Sequence, residues 1–437
     1  LTLEHMEPFS MEGKKYEHVI RYDGGNLMHQ LPYRWVSGCK DYTEGQSQLG
    51  QKASHGCIRM DRLPGESGVT AYWLWTHLPW GSRVIILDDP AQRLEQAAAV
   101  AAGRLPVGQV RSEAATPPLM LPQETELRLT VGGDAVIGTR EAWWDKTESL
   151  PSYLARSGMD YPFSGLYKVF AEDDMTFVNL ECVLKEDKRG EKTDKLYRFR
   201  GLPSYAAVLA EGSVEQVSIA NNHHIDYGGA GMDATRQALE DAGIPYSGYG
   251  YTWVWEKDGH RVGFGGCRET VYRQNKRIIA QDVASLREQG CDVIIYACHW
   301  GKEYSPGHNE LQMEMARAAA AAGVDIVVGA HPHVVQGVDT VDGTVVLWSL
   351  GNLVFGGTHD MTTFDAALAR INLRFGAEGY QGCTVRMLPI LTSTSADIGL
   401  NDFRPVLAKG ADYERIWQKI QADSGLWLSE AMWFPAR

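Results

Sequence analysis

Beyond residue 126, short apolar runs alternate with amphipathic stretches. Val217-Ser218-Ile219-Ala220, Val293-Ile294-Ile295-Tyr296-Ala297-Cys298 and Ile326-Val327-Val328-Gly329-Ala330 have the length and continuity of buried strands. Leu127 to Val131, Thr176 to Leu180 and Arg261 to Gly265 predict further strands, as do Val345 to Trp348, Ala369 to Phe375 and Thr384 to Leu388. Helical spacing predicts helices from about Gly231 to a stop at Gly243, over Ile278 to Glu288, over Leu311 to Ala322 closed by Gly323, and around Tyr413 to Ala422. This alternation argues a layered α/β domain with helices packed on sheet faces.

The front of the chain is patterned differently. His18-Val19-Ile20-Arg21-Tyr22 and Arg83-Val84-Ile85-Ile86-Leu87, with turns at Asp23-Gly24-Gly25 and Pro79 to Gly81, predict a small, mainly β unit with one helix through Val69 to Thr76. From Asp88 to Glu126 come Pro90, an alanine-rich stretch Ala97 to Ala102, then Pro106, Pro117, Pro118 and Pro122, which read as a tether. The expected division is therefore 1–89, a linker over 90–125, a large domain over 126–427, and a tail over 428–437.

Composition fits a globular protein of more than one domain: 437 residues, 44% apolar and 22% charged. A net charge of -13 argues against a nucleic-acid partner, which demands a basic patch. The seven cysteines form no C-x-x-C pair, so neither a zinc knuckle nor a disulfide framework is indicated, and Cys182, Cys267 and Cys298 read as small core residues. No apolar run reaches the ~20 residues of a membrane span. Leu1 opens no signal segment, and an N-terminal signal or anchor removed from the chain is the expectation.

Candidate chemistry gathers at the strand ends. Asn221-Asn222-His223, His299-Trp300-Gly301 and His331-Pro332-His333 each follow an apolar run, while Gly133-Asp134 and Asn179-Leu180-Glu181 follow the two earliest strands of this part. Ligands of open α/β sheets bind at the carboxyl ends of strands, so these side chains should converge. One such histidine would ordinarily be a satisfied core or loop residue; three clusters with two carboxylates are hard to explain structurally. Imidazole, carboxylate and asparagine carbonyl together suit Zn, Mn or Fe. His224, His308 and His359 fall at surface or supporting positions, and Glu303 at one from which it could orient a histidine.

Six segments, in order, resemble the CapA family of capsule and poly-γ-glutamate biosynthesis proteins, a branch of the calcineurin-like metallophosphatases. They are Gly133-Asp134-Ala135-Val136-Ile137-Gly138, Asn179-Leu180-Glu181, Ala220-Asn221-Asn222-His223-His224-Ile225-Asp226-Tyr227-Gly228, His299-Trp300-Gly301-Lys302-Glu303-Tyr304, Gly329-Ala330-His331-Pro332-His333-Val334-Val335-Gln336 and Ser349-Leu350-Gly351-Asn352-Leu353-Val354-Phe355. The resemblance implies a four-layer α/β/β/α sandwich. It implies Asp134, Glu181, Asn222, His299, His331 and His333 as the metal set, with Glu181 bridging, and His223 as an acid or charge stabiliser facing the scissile bond. Where the superfamily begins Asp-x-His, this chain has Val136, so one ion, or two held unequally, is expected on equal terms with a full dinuclear centre.

A second signature lies at Ser54-His55-Gly56-Cys57-Ile58-Arg59-Met60. A thiol attacks as thiolate, and a histidine held close by a turn can take its proton. With Gly25-Asn26-Leu27-Met28-His29 and Pro79-Trp80-Gly81-Ser82-Arg83-Val84-Ile85-Ile86, the stretch resembles part of a YkuD-type L,D-transpeptidase. That likeness implies Cys57 as nucleophile, His55 as base, Arg59 as substrate clamp and His29 near the oxyanion.

Taken together, the two likenesses imply an extracytoplasmic enzyme of the bacterial envelope, in the cell wall or associated with the membrane. The large domain would hydrolyse a phosphoester or γ-glutamyl amide with metal assistance, acting on an anionic polymer such as poly-γ-glutamate. The front domain would transfer an acyl group from a peptidoglycan stem peptide. The alternative is a metal-stabilised, non-catalytic accessory of a membrane-bound polymer synthase complex, with a wall-binding front domain.

Overall fold

The computed structural model describes residues 124–358, 361–396 and 400–437, together with the backbone of a few short strands before them. Among those short strands, Val19–Asp23 pairs antiparallel with Asn26–Gln30 across the expected turn. The expected helix at 69–76, the strand at 83–87 and the linker over 90–125 lie outside the described residues, apart from the linker's last two residues and a short strand within it.

Val293–His299 shows how alternation builds the large domain. Val293, Ile295 and Ala297 join one core, while Ile294, Tyr296 and Cys298 join another. A strand buried on both faces cannot show polar/apolar alternation, which is why it reads as an unbroken apolar run. Ile326–Ala330 behaves alike, with Ile326 and Val328 on one side and Val327 on the other. These strands belong to a six-stranded sheet in the order Trp253–Lys257, His260–Arg268, Val293–His299, Ile326–Ala330, Thr344–Leu347, Val338–Val341. Its middle four strands are parallel. On one face lie the helices Ile278–Glu288 and Glu310–Ala322, through Ile279, Val283, Leu286, Met315, Ala316 and Ala319.

The other face meets a nine-stranded sheet. Phe264 of the smaller sheet and Phe177 of the larger have ring centroids 5.4 Å apart, and one core cluster contains residues of both sheets. In the larger sheet Tyr246–Ser247, Gln216–Ser218, Met175–Leu180 and Thr125–Val136 run parallel. The antiparallel pair Asp365–Gly376 and Gly379–Leu391 follows. Leu150, Leu154, Val208, Leu209, Ala238 and Leu239 bring three more helices into this core. The described domain is thus mixed α/β.

Most expected elements are present with shifted ends. Ile278–Glu288 is as expected, and Glu310–Ala322 opens one residue early because Asn309 and Gln312 form a capping box. It stops at Gly323, whose φ of 95° is left-handed. One expectation is corrected: residues 428–437 do not trail as a tail. Met432–Pro435 pairs antiparallel with Gly379–Leu391, burying Met432 and Phe434, and Arg437 donates to the carbonyls of Ala320 and Val324 at 2.6 and 2.9 Å. The alternation in Met432-Trp433-Phe434 is a strand's period, compressed into too few residues to stand out.

Candidate metal centre

The carboxyl ends of the parallel strands of both sheets meet at one edge. Thr125–Val136 reaches it through Gly132 and Gly133, where its ladder with Met175–Leu180 shifts register. A Cβ on Gly133 would lie 1.9 Å from the Gly351 carbonyl oxygen, so glycine is required for the strand to leave Asp365–Gly376 and pair in parallel with Asn352–Phe355. The Asp134 N–H then donates to that carbonyl at 3.0 Å. Glu181 follows Met175–Leu180 directly, its N–H donating to the Ala135 carbonyl at 2.9 Å. From the smaller sheet come His299, the last residue of its strand, and the turn His331-Pro332-His333. His331 and His333 have φ of 98° and 57°, conformations that cost about 1–3 kcal/mol for a non-glycine residue and cluster at functional sites.

The structure brings together all six expected metal-set residues. Nδ1 of His333 lies 3.2 Å from Asp134 Oδ2 and 4.0 Å from Glu181 Oε2. Nε2 of His299 lies 3.3 Å from Glu181 Oε1 and 2.7 Å from Asn222 Oδ1. The His299 and His331 ring centroids are 4.6 Å apart. Asp134, Glu181 and His333 form one potential ligand group and Glu181, His299 and His331 another, each with donor atoms within 4.8 Å of one another. A third joins Glu303 to His331 and His333.

Glu181 is fully buried, yet neither of its oxygens has a hydrogen-bond partner. An anion left so would be very costly, and a divalent ion is the natural group to satisfy it. The residues therefore fit a metal, and their mixed oxygen and nitrogen donors suit Zn, Mn or Fe.

Electrostatics follow from this crowding. Burial, then the charge of Asp134, pushes the Glu181 carboxyl well above its usual range. Burial opposes ionisation of Asp134 too, but His333, Asn179 and the His331 N–H hold that carboxyl below it. His333 is raised to about 10: burial acts against its charge, and Glu181 and Asp134 outweigh it. Burial and neighbouring imidazoles push His299 well down and His331 to about 4.

His223 sits beside the cluster, under the Phe199 ring at 4.3 Å between centroids. Its Nδ1 is 2.7 Å from Asp226 Oδ2. Asp226 is fully buried, accepts from the Phe199 N–H at 2.9 Å and is clamped by the Lys195 ammonium. Burial lowers the His223 pKa, and Asp226 opposes that shift.

Sequence reasoning left several supporting residues unassigned. Asn179 donates to Asp134 Oδ1 at 2.7 Å, Asn352 Oδ1 lies 2.9 Å from His333 Nδ1, and Asn221 accepts from the N–H groups of His223 and His224. All three stand within the motifs, and that proximity was the available signal. His224 is corrected from a surface or supporting position to the interior: it is fully buried against Tyr249, with neither ring nitrogen partnered. His308 supports a loop through Asp423, 3.0 Å away. Val136 is wholly buried in the core. Cys182, Cys267 and Cys298 are buried free thiols, as expected. Cys57, His55 and His359 lie outside the described residues, as do the side chains of His29 and Arg59.

The description "Bacterial capsule synthesis protein PGA_cap" names the family whose pattern matches residues 128–357. That is more than half of the 437 residues, and the chain belongs to this family. It is 27% identical over 292 residues to capsule biosynthesis protein CapA of Bacillus anthracis, covering 61% of this chain and 68% of that protein. It is 29% identical to PGA biosynthesis protein CapA of Bacillus subtilis (strain 168), covering 51% and 64%. It is 24% identical to a probable polyglutamine synthesis accessory protein of Mycobacterium tuberculosis (strain H37Rv), covering 50% and 66%. The chain thus spans about two thirds of the length of these relatives.

Proposed function

We propose that this member of the capsule synthesis family is a metal-dependent hydrolase of the bacterial envelope, acting on an anionic polymer such as poly-γ-glutamate at a phosphoester or γ-glutamyl amide. The observation that carries the reading is the buried, unpartnered carboxylate of Glu181 among Asp134, His299, His331 and His333. The names of the Bacillus relatives support the polymer class. The two sheets packed face to face with helices outside support a four-layer, metallophosphatase-like domain.

Asp134, Glu181, Asn222, His299, His331 and His333 would hold one or two divalent ions. Bound metal would polarise the scissile group and lower the pKa of an attacking water. His223 is the proton-handling residue: Asp226 keeps one proton on Nδ1, leaving the Nε2 lone pair to take a proton from the attacking water and pass it to the departing oxygen or nitrogen. Lys195 and the Phe199 N–H hold Asp226 still, so the imidazole is preorganised.

Purified full-length chain, stripped with chelator and reloaded singly with Zn, Mn and Fe, should cleave phosphodiester or γ-glutamyl substrates. His223→Ala should lower kcat by about 10²–10⁴-fold. Metal-independent turnover, or none on either bond type, would sink this reading.

A second reading, a non-catalytic accessory of a membrane-bound polymer synthase complex, is favoured by Val136 where the superfamily has a ligand. The name of the mycobacterial relative points the same way. Metal uptake with no turnover above background in either the wild type or His223→Ala would select it.

For the front of the chain we propose a wall-directed L,D-transpeptidase-like unit at the cell wall or membrane, acting on a peptidoglycan stem peptide with Cys57 as nucleophile, His55 as base, and Arg59 and His29 lining its pocket. Supporting it, Asn26–Gln30 pairs in parallel with Ile58–Met60, His29 standing opposite Arg59 in the register. A carbapenem probe should add covalently to the wild type and leave Cys57→Ala unmodified, detected by intact mass.

A further inference from the structure

Val136 leaves the group Asp134, Glu181 and His333 short of a donor. Its side chain is fully buried in the core on a strand paired with Phe355, so no shift of the loop could make that position serve. Across the site, Glu303 lies with its carboxylate and the ring nitrogens of His331 and His333 within 4.8 Å of one another. Its backbone is well anchored. Before it, the Trp300 N–H donates to the Ala330 carbonyl at 3.1 Å and the Gly301 N–H to Glu269 at 3.1 Å. After it, Tyr304, at a left-handed φ of 60°, donates its N–H to the Pro332 carbonyl at 2.8 Å, inside the histidine turn itself. The loop bearing Glu303 and the turn bearing both histidines are thus one hydrogen-bonded unit.

We propose that Glu303 is a metal ligand, acting with His331 and His333 in a centre that gains no donor from residue 136. This rests on the metal-centre reading above. Two further observations point into the same space: both oxygens of fully buried Glu181 are unpartnered, and so is the buried Nδ1 of His331. Glu303 is itself exposed, so it closes the outer side of the centre, where water or an incoming anionic group can replace it. Glu303 thereby adds one oxygen donor to the two imidazoles of the histidine turn.

The test is metal binding, independent of turnover. Apoprotein of the full chain is titrated with Zn and with Mn, stoichiometry is read by mass spectrometry of the elements, and Mn affinity by electron paramagnetic resonance. Glu303→Gln keeps the size and exposure of the side chain, and Glu310→Gln, another exposed acid at the start of the next helix, serves as the control. Two ions in the wild type, with one lost or weakened at least about 10-fold in Glu303→Gln alone, is the expected result; a single ion weakened as much is also support. Equal stoichiometry and affinities within about twofold in both variants overturns the inference while leaving the metal centre standing. A wild-type chain that takes up no ion overturns both. An unchanged melting temperature of the metal-free Glu303→Gln protein separates lost ligation from misfolding.

Discussion

Glu181→Gln should stabilise the metal-free protein and abolish its stabilisation by metal. Around Glu181, the raised His333 neutralises one carboxylate, and Asp134 is nearer to it, at 3.2 Å against 4.0 Å. Glu181 is thus fully buried without a hydrogen bond and shares the single His333 cation with Asp134. An unpaired buried ion costs several kcal/mol, whereas the amide that replaces it costs about 1–3 kcal/mol unsatisfied. The net gain is about 1–3 kcal/mol, or roughly 2–10 °C in melting temperature for a domain of this size. The pH dependence has a definite sign. Folding raises the Glu181 pKa above the usual 4.5 of a glutamate, so the penalty is absent below that pH and grows as pH rises toward the folded value. The wild type therefore falls behind Glu181→Gln as pH increases from 4.5. With metal at 1,000 times its Kd the wild type gains about 4.1 kcal/mol, reversing the order. Melting curves in chelator and in metal across pH 4.5–8 read all of this. A metal-free Glu181→Gln that melts below the wild type at pH 8, with a pH-independent difference, would refute the reasoning.

Asp226→Asn removes the contribution that holds the His223 pKa up, so imidazole resonances in NMR should titrate at lower pH than in the wild type, while Lys195 keeps its bond to the Asn222 carbonyl and loses its carboxylate partner. His308 has its pKa raised, burial opposing and Asp423 outweighing it; the stabilisation is fully present below about 6.5 and lost as pH rises through the folded value. His308→Gln should remove that dependence at a cost of about 1 kcal/mol, discounted for partial exposure, seen in urea unfolding at pH 6 and 9. Gly133→Ala drives a Cβ against the Gly351 carbonyl, and overpacking of about 1–3 kcal/mol or more should appear as a lower urea midpoint together with weaker metal binding.

Much of the large domain was legible because its chemistry sits at breaks in periodicity. The runs ending at His299 and His331 are apolar on both faces, so the first polar residue after each run marks the strand's end and the sheet edge. Asp134 and Glu181 could be added by the same logic. What the runs hid was which residues faced which core, since Ile294 and Ile295 look alike in sequence and differ in their neighbours. Met432–Pro435 was missed because so short a strand carries too little periodicity to separate from a tail.

Sequence by itself determined the type of elements and the edge at which function gathers, because burial and turn formation are local demands on residue type, and the family resemblance implied six candidate ligands there. Only the tertiary structure decided that two sheets deliver those ligands to one point, that Asp226 and not a neighbour holds His223, and that Glu303 reaches the histidine turn. Those relations join residues far apart in the chain, such as Asp134 and His333 or Tyr304 and Pro332. They depend on sheet packing and backbone hydrogen bonds that leave no mark on either residue alone.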